Sequence, residues 1–526
     1  QSGRDRTPAW IPEKYMQELY FPSFKEAVNK GALTVMINSG DVNGVPGHTN
    51  YNLITKTLKE DWGFQGFAVS DWEDYIMLNS IHRTAEDIEQ AIISAFNAGV
   101  DMSMVPYSPQ YKEYCELMIK AVKEGKITAE RLDDAVRRIL RVKIKAGLYK
   151  DAMNQLDQYP DFGSEKFKAT ALEAALESIT LLKNNNHTLP LSMDKKVLVS
   201  GPTSNNLIYL NGAWTHTWQG ADTAYNTIGC KTVFEAFKEK LGPENCLFSQ
   251  GAELYLENGF EATRLIAADD FKTKAAQSDI IVLCLGEYPS TEKPGDIRSL
   301  NLDEEQLALA EMAYATNKPV ILVMIEGRPR IIRTIVDSAA AIVQAYLPGD
   351  YGADALVKLM FGEENFSGRL PYTYPKYDGV IEFYDHPRSV DRSKSNDFKA
   401  YNPQWDFGYG LNYSAVVYSN LRLNSKEMRS KDSIKVEVDI TNSSLIDVKE
   451  VVQLYVSDKF ATIVPNGKSL KRFTKRMIKA GETETVSFYL TVSDLEFVDA
   501  SGKWNSETGA FDITIGNLIT TFNLKI

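Results

Sequence analysis

Residues 63–72 read Gly63-Phe-Gln-Gly-Phe-Ala-Val-Ser-Asp-Trp72, and the reading of the first third of the chain turns on them. Phe67-Ala-Val-Ser70 is a short apolar strand, with a carboxylate and an indole where it ends. Thr34-Val-Met-Ile37 upstream and Val100-Asp-Met-Ser-Met-Val105 downstream have the same texture. Between the last two, Ile88, Ile92 and Phe96 recur at helical spacing; Thr84 is the candidate cap and Gly99 the terminator. Strand, helix, strand in this rhythm builds a parallel sheet with right-handed crossovers. A last helix, around Leu132 to Ala146, carries Val136, Ile139, Leu140 and Val142 on one side with Arg and Lys between them.

The α/β rhythm then restarts as a separate unit. Strands are read at Lys196–Ser200, Asp279–Leu285, Pro319–Ile325 and Ala341–Tyr346, with helices near 232–241, 303–316 and 352–361. Runs apolar on both faces suit a parallel sheet covered on each side, a doubly wound α/β/α sandwich. From about 413 the texture is all β: Ile434-Lys-Val-Glu-Val-Asp-Ile440 alternates apolar and charged residues. Val451–Val456, Val486–Leu490 and Phe511–Ile515 follow, as in an immunoglobulin-like sandwich. The expected division is 1–150, a linker at 151–165, a sandwich domain at 166–385, a linker at 386–412 and a β domain at 413–526.

At 526 residues the chain exceeds one core, and its 44% apolar and 24% charged residues are ordinary for a globular protein. A net charge of −12 argues against nucleic acid as partner. No apolar run reaches 18 residues, so no membrane-spanning helix is expected. The four cysteines form no CxxC pair and the five histidines no HExxH, so neither metal nor cofactor is indicated. Cys230 and Cys246 could be bridged or free thiols.

Asp71 is the first candidate for chemistry, because barrel active sites gather at the C-terminal ends of the strands. A carboxylate that attacks or stabilises, beside an indole that stacks, makes a sugar site. The plainer alternative is an Asp capping the next helix beside a core Trp. Glu292 is the second, in Gly286-Glu-Tyr-Pro-Ser-Thr-Glu-Lys-Pro-Gly-Asp296, a loop leaving a central strand where doubly wound sheets bind ligands. Glu287 and Asp296 share that loop, and a solvated acidic loop is the alternative there. GxGxxG, GxxxxGK[ST] and GxSxG are all absent.

Thr34–Pro46, Gly63–Trp72 and Ala98–Met104, with Arg137–Lys143 and Gly147-Leu-Tyr149, together resemble glycoside hydrolase family 3. Ser178–Asn184, Trp214–Gly220, Thr291–Asp296, Gly327-Arg-Pro329, Ser367–Pro371 and Phe407–Leu411 extend the resemblance. Glu450–Val456 and Lys503-Trp504 resemble the fibronectin type III-like domain that many members carry. The resemblance implies a retaining, exo-acting β-glucosidase working by double displacement on terminal β-D-glucosyl residues of oligosaccharides. It further implies Asp71 as nucleophile, Glu292 as general acid/base donated from the second domain, Trp72 and Trp218 as paired indoles, and Met36 beside the glycone. Retention requires the two carboxyl groups about 5–5.5 Å apart. No cofactor enters this scheme.

Ser39 stands where many members have an aromatic residue, and Met77 where some β-glucan exohydrolases have Arg, so specificity does not transfer from one relative. A (β/α)8 barrel needs about 250 residues. The first region therefore reads as the last three strands of a barrel, with Arg4 and Asp5 in the loop after a Lys-His pair. The expectation is a longer natural protein, or a companion fragment supplying the missing barrel segment and its glucose-gripping Asp and Arg. A homodimer is left open. A β-xylosidase or other family glycosidase, and a non-catalytic carbohydrate-binding fragment, are the alternatives. Bacterial glycan-degrading relatives point to a periplasmic or secreted location.

Overall fold

The computed structural model describes residues 3–150, 152–153, 156–225, 229–257, 259–380, 383–386, 388 and 401–526. Much of the expected linker at 386–412 therefore lies outside the described residues. The chain separates into two compact units: Gln1–Pro160 with Phe497–Trp504, and Asp161–Glu496 with Asn505–Ile526.

In the first unit β1 (Thr34–Met36), β2 (Phe67–Trp72) and β3 (Met102–Met104) form a parallel sheet in the order β1-β2-β3. The pairing Thr34↔Phe67 through Met36↔Val69 is regular, but β2 and β3 slip register between Val69 and Trp72. The helices α1 (Asp74–Ser80) and α2 (Ile88–Ala98) cover the sheet, burying Ile37, Ala68, Leu78, Ala91 and Ala95 in one cluster. Asp87, not Thr84, caps α2: its carboxylate accepts from the Gln90 amide at 2.8 Å, whereas the Thr84 hydroxyl donates to the Leu78 carbonyl. The expected cap lies one turn too early, because residues 84–87 complete the entry loop before the helix starts. Gly99, at φ 119°, ends the helix in a left-handed conformation that a side chain would strain.

The helix α3 (Ala129–Lys145) lies where the sequence places one, but packs in a way that its apolar side does not announce. Of the apolar residues on the side read from the sequence, Ile139 and Val142 are half-buried, and Val136 and Leu140 are exposed. Its inward anchors are Ala135 and two arginines seven residues apart. Arg131 donates to the carbonyls of Phe96 and Val100 and to Asp101, each at 2.8 Å. Arg138 donates to the carbonyls of Phe64 at 2.6 Å and Gly66 at 3.0 Å. Carbonyls in the last turn of α2 and on the loops entering β2 and β3 need donors, and a guanidinium supplies several at once. Hydrophobic periodicity cannot see such an anchor.

The second unit holds a six-stranded sheet. Its strands are β4 (Thr180–Asn184), β5 (Val197–Ser200), β6 (Cys246–Ser249), β7 (Ile280–Gly286), β8 (Val320–Ile325) and β9 (Ala341–Gln344). The order is β4-β9-β8-β7-β5-β6, parallel except for β4 against β9. Every residue of β7 and β8 is buried. Val282, Cys284, Ile321 and Val323 face one apolar cluster and Ile281, Leu283, Leu322 and Met324 the other, as strand alternation between two covered faces requires. The hairpin Ala252–Glu257/Phe260–Leu265 is an addition that the sequence reading did not contain.

The remainder of this unit is a β sandwich. One sheet holds Val416–Leu423, Ser433–Asn442 and Thr483–Thr491; the other has Gly509–Ile515 at its centre, with Val448–Asp458 beside it. The alternation predicted for 434–440 is realised, with Ile434, Val436, Val438 and Ile440 all buried in its core. Arg369 ties the sandwich to the α/β part through Glu450 at 2.8 Å. All four cysteines, Cys230 and Cys246 included, are free thiols. Among the described residues, no helix is long and apolar enough to cross a membrane, and no cluster of three or more His, Cys, Asp or Glu could hold a metal ion.

Candidate active site

Asp71 occupies the C-terminal end of β2, at the register slip against β3. The Ser70 hydroxyl fills the gap, accepting from the Met104 amide and donating to the Asp71 carbonyl, both at 2.8 Å. A bulge of this kind bends the strand and re-aims its side chains. Three donors meet the Asp71 carboxylate: the Trp72 amide on Oδ1 at 2.6 Å, and the Ser39 hydroxyl and Arg6 guanidinium on Oδ2 at 2.9 and 3.1 Å. Burial alone would raise its pKa, but the bonds from Trp72, Ser39 and Arg6 and the Arg6 charge outweigh it, so the pKa lies below the ordinary carboxylate value. The group is therefore an anion at neutral pH.

The helix-cap alternative does not describe this residue. The cap position of α1 belongs to Glu73, at φ 57°, and makes no side-chain cap bond. Nor is Trp72 a core residue: it is half exposed, with Tyr107 in edge-to-face contact at 5.7 Å. Met36, at the end of β1, is exposed by 54%. Ser39 is buried, and its carbonyl lies 3.2 Å from the His82 ring nitrogen. Behind this group the buried His48 and Asp74 stand 3.7 Å apart. Burial pushes the His48 pKa down to about 4 and that of Asp74 up to about 6.

In the second unit Glu292 sits on the loop after β7, entering a single turn at Lys293–Gly295. The Trp218 indole donates to its Oε1 at 2.9 Å. The loop carrying Trp218 is tied to the same segment by Gln219, which accepts from the Thr291 amide at 3.0 Å and donates to the Thr291 carbonyl at 3.3 Å. Glu292 has φ 53° and ψ −148°, outside the regions that side chains favour.

Glu287 departs from the solvated-loop alternative. It is buried, and its carboxylate accepts from the amides of Gly327 and Arg328 and from the Arg328 Nε, all at 2.9 Å. Arg330 approaches the same group at 3.5 Å and pairs with Glu261 at 2.9 Å.

The candidates thus fall into two local groups. Asp71, Ser39 and Trp72, with Met36 on the neighbouring strand, belong to one unit; Glu292 and Trp218 belong to the other. Sequence reasoning missed Arg6, which lies 65 positions from Asp71 and carries no local pattern. It also missed the roles of Glu287 and Arg328, although both residues lie in quoted motifs.

Comparison with known proteins matches residues 1–142 to the glycosyl hydrolase family 3 N terminal domain and residues 179–413 to the glycosyl hydrolase family 3 C-terminal domain. Residues 450–518 match a fibronectin type III-like domain. A lysosomal beta glucosidase of Dictyostelium discoideum is 36% identical over 98% of this chain, which spans 64% of that protein's length. A periplasmic beta-glucosidase of Salmonella typhimurium and a beta-xylosidase of Formosa agariphila are each 31% identical over 98% of this chain, covering 70% and 72% of those proteins. The crystal structure of a Listeria innocua beta-glucosidase in complex with glucose superposes with a TM-score of 0.88 at 27% identity, over 100% of this chain and 72% of that one. With its three regions matched in order and 98% of its own length aligned to these relatives, the chain belongs to glycoside hydrolase family 3.

Proposed function

We propose that the protein is a retaining, exo-acting β-glucosidase, with Asp71 as nucleophile and Glu292 as general acid/base. The observation that carries this reading is the ionised Asp71, aimed from a bulged strand end and held by three donors. In the first displacement Asp71 bonds to the anomeric carbon while Glu292 gives its proton to the departing glycosidic oxygen. In the second, Glu292 takes a proton from water as the water oxygen displaces Asp71, and the two inversions restore the configuration. Trp72 and Trp218 are half exposed and suit stacking against a sugar ring. The corresponding domains are 1–150, read as the closing part of a (β/α)8 barrel, 166–385 and 413–526. A periplasmic or secreted location is supported by the Salmonella relative, which is described as periplasmic.

The test is hydrolysis of 4-nitrophenyl β-glucoside, with the anomer first released followed by NMR. Asp71→Asn is expected to remove turnover while leaving the circular dichroism spectrum unchanged. An initial α-anomer, or full activity in Asp71→Asn, would refute the mechanism. The Formosa relative, a beta-xylosidase, favours a second reading for the glycone alone. A kcat/KM higher for the β-xyloside than for the β-glucoside would establish it.

A further inference from the structure

We infer that Arg328 is a positioning residue for Glu292, working from a buried anchor at Glu287; the inference rests on the assignment of Glu292 as the acid/base. Glu287 and Arg328 follow the ends of the adjacent parallel strands β7 and β8, which run in register from Ile281↔Val320 to Gly286↔Ile325. The chain leaves both strands at the same level, and the two residues close the gap between them. Glu287 is only 6% exposed and takes Arg328 in two ways, through its backbone amide and through the guanidinium Nε at 2.9 Å and Nη2 at 2.7 Å. A fork held on a carboxylate in this way is fixed in direction. Its remaining nitrogen, Nη1, donates to the Gly295 carbonyl.

That carbonyl belongs to the turn that sets Glu292. The Gly295 amide donates to the Glu292 carbonyl at 2.8 Å and to that of Thr291 at 3.2 Å. Arg328 thus grips the far end of a turn whose near end is the acid/base residue itself. The grip has work to do, because Glu292 holds φ 53° and ψ −148°, next to a region that only glycine occupies readily. Such a conformation persists only where the surroundings over-determine it. The Trp218 indole fixes the carboxylate, Gln219 fixes Thr291, and Arg328 fixes Gly295. Of the three, the arginine is the one whose own position is set by an ion pair to a buried acid. Arg330 and Glu261 extend that anchor: Glu261 also accepts from the Tyr288 amide at 2.6 Å, so the first residues of the loop are pinned as well. The loop leaves the sheet rigid, and its acid is presented in one geometry.

The experiment compares Arg328→Met and Arg328→Lys with Glu292→Ala in the whole protein. The substrates are aryl and alkyl β-glycosides, of whichever glycone the wild type hydrolyses, graded by leaving-group acidity. A departing dinitrophenolate needs no proton, whereas methanol or a sugar does, so damage to the acid is read as dependence on the leaving group. Arg328→Met is expected to lower kcat/KM about 10- to 100-fold for the poor leaving groups and less than about 3-fold for the dinitrophenyl glycoside, since a displacement near 1 Å costs about that much. Arg328→Lys keeps the charge but cannot fork between Glu287 and Gly295, and should fall between. A uniform loss across the series would signal a smaller folded fraction and overturn the inference, as would an unchanged series. If Glu292→Ala steepens the dependence and Arg328→Met does not, the positioning role alone fails. If Glu292→Ala leaves the dependence flat, the acid assignment fails and takes the inference with it.

Discussion

Replacing Glu326 by Gln should change how the stability of the second unit responds as pH rises from about 4.5 to about 8. Glu326 directly follows β8 and precedes the Gly327-Arg328 segment that grips Glu287. It is fully buried, and its Oε1 accepts from the Tyr374 hydroxyl at 3.1 Å, the Arg330 amide at 3.2 Å and the Gln344 amide group at 3.3 Å. Among the described residues its Oε2 is buried with no partner. Burial, reinforced by the negative charge of Glu287, pushes its pKa up to about 8 from an ordinary 4.5. The folded protein therefore holds a proton that the unfolded chain has lost between those two values. By linkage, stability falls as pH rises from about 4.5 to about 8 and then levels off. At about 1.4 kcal/mol per unit, the swing from this one group is of order 4–5 kcal/mol. The glutamine variant keeps the acceptor and cannot ionise, so it should match the wild type near pH 5 and exceed it by about 3–5 kcal/mol at pH 8.5. Urea unfolding at the two pH values measures this, followed by the fluorescence of tryptophans that include Trp405, whose ring packs edge-on against Tyr374 at 5.0 Å. Parallel stability curves for variant and wild type would refute the reasoning and show Glu326 ionised in place.

Two further outcomes follow from the first unit. Burial raises the Asp71 pKa while the bonds from Trp72, Ser39 and Arg6 lower it further, so Ser39→Ala or Arg6→Met should leave burial less opposed and move the acid limb of kcat/KM to higher pH. A limb that stays fixed in both variants belongs to another group. Asp101→Asn should destabilise the unit by about 3–5 kcal/mol in urea. Its buried carboxylate holds Lys59 and Arg131, each at 2.8 Å, and accepts the Ala68 amide. Adding Lys59→Met should recover part of the loss, and a cost below about 1 kcal/mol would contradict a buried ionic anchor.

The elements legible in the sequence were those whose signal is local. Strands β7 and β8 are continuous apolar runs, and Ile434–Ile440 alternates, so each announced its type and its number of buried faces. Helix α2 and its Gly99 terminator were equally plain, but its cap was not, since Thr84 and Asp87 are both good capping residues and only the loop's path chooses between them. Helix α3 was legible as a helix, but its inward anchors were not. Apolar periodicity assumes that burial is apolar, and there Arg131 and Arg138 face inward because strand-entry carbonyls need donors. At the candidate site Asp71 was legible as a carboxylate at a strand end, and Glu292 as one on a loop leaving a strand. Arg6 was not, because its partner is 65 residues away and one arginine in a polar segment has no pattern. Glu287 was read as one acid among several on a loop; only the fold shows that it is buried and that its neighbours are guanidinium groups.

Both candidate carboxylates sit beside departures from comfortable backbone geometry. Glu73, two residues after the nucleophile candidate, has φ 57° and ψ 21°; Glu292 has φ 53° and ψ −148°. Each such residue costs of order 1–3 kcal/mol, and neither position is a glycine, which would adopt the geometry freely but carry no side chain. At Glu292 the side chain is the point, so the strain has to be borne and the fold must oppose relaxation. It does so with contacts of graded rigidity: an indole, an amide side chain, and an arginine locked to a buried acid. At Asp71 the backbone stays extended, and the turn falls on Glu73 after the chain has passed. Its amide donates to the Met104 carbonyl at 3.0 Å, so the turn is tied to the end of β3. A candidate nucleophile whose position follows from sheet register needs only donors that hold its charge, here the Trp72 amide, Ser39 and Arg6. An acid on a loop needs its backbone held as well, which is why the denser network, running from Glu261 to Gly295, lies under Glu292.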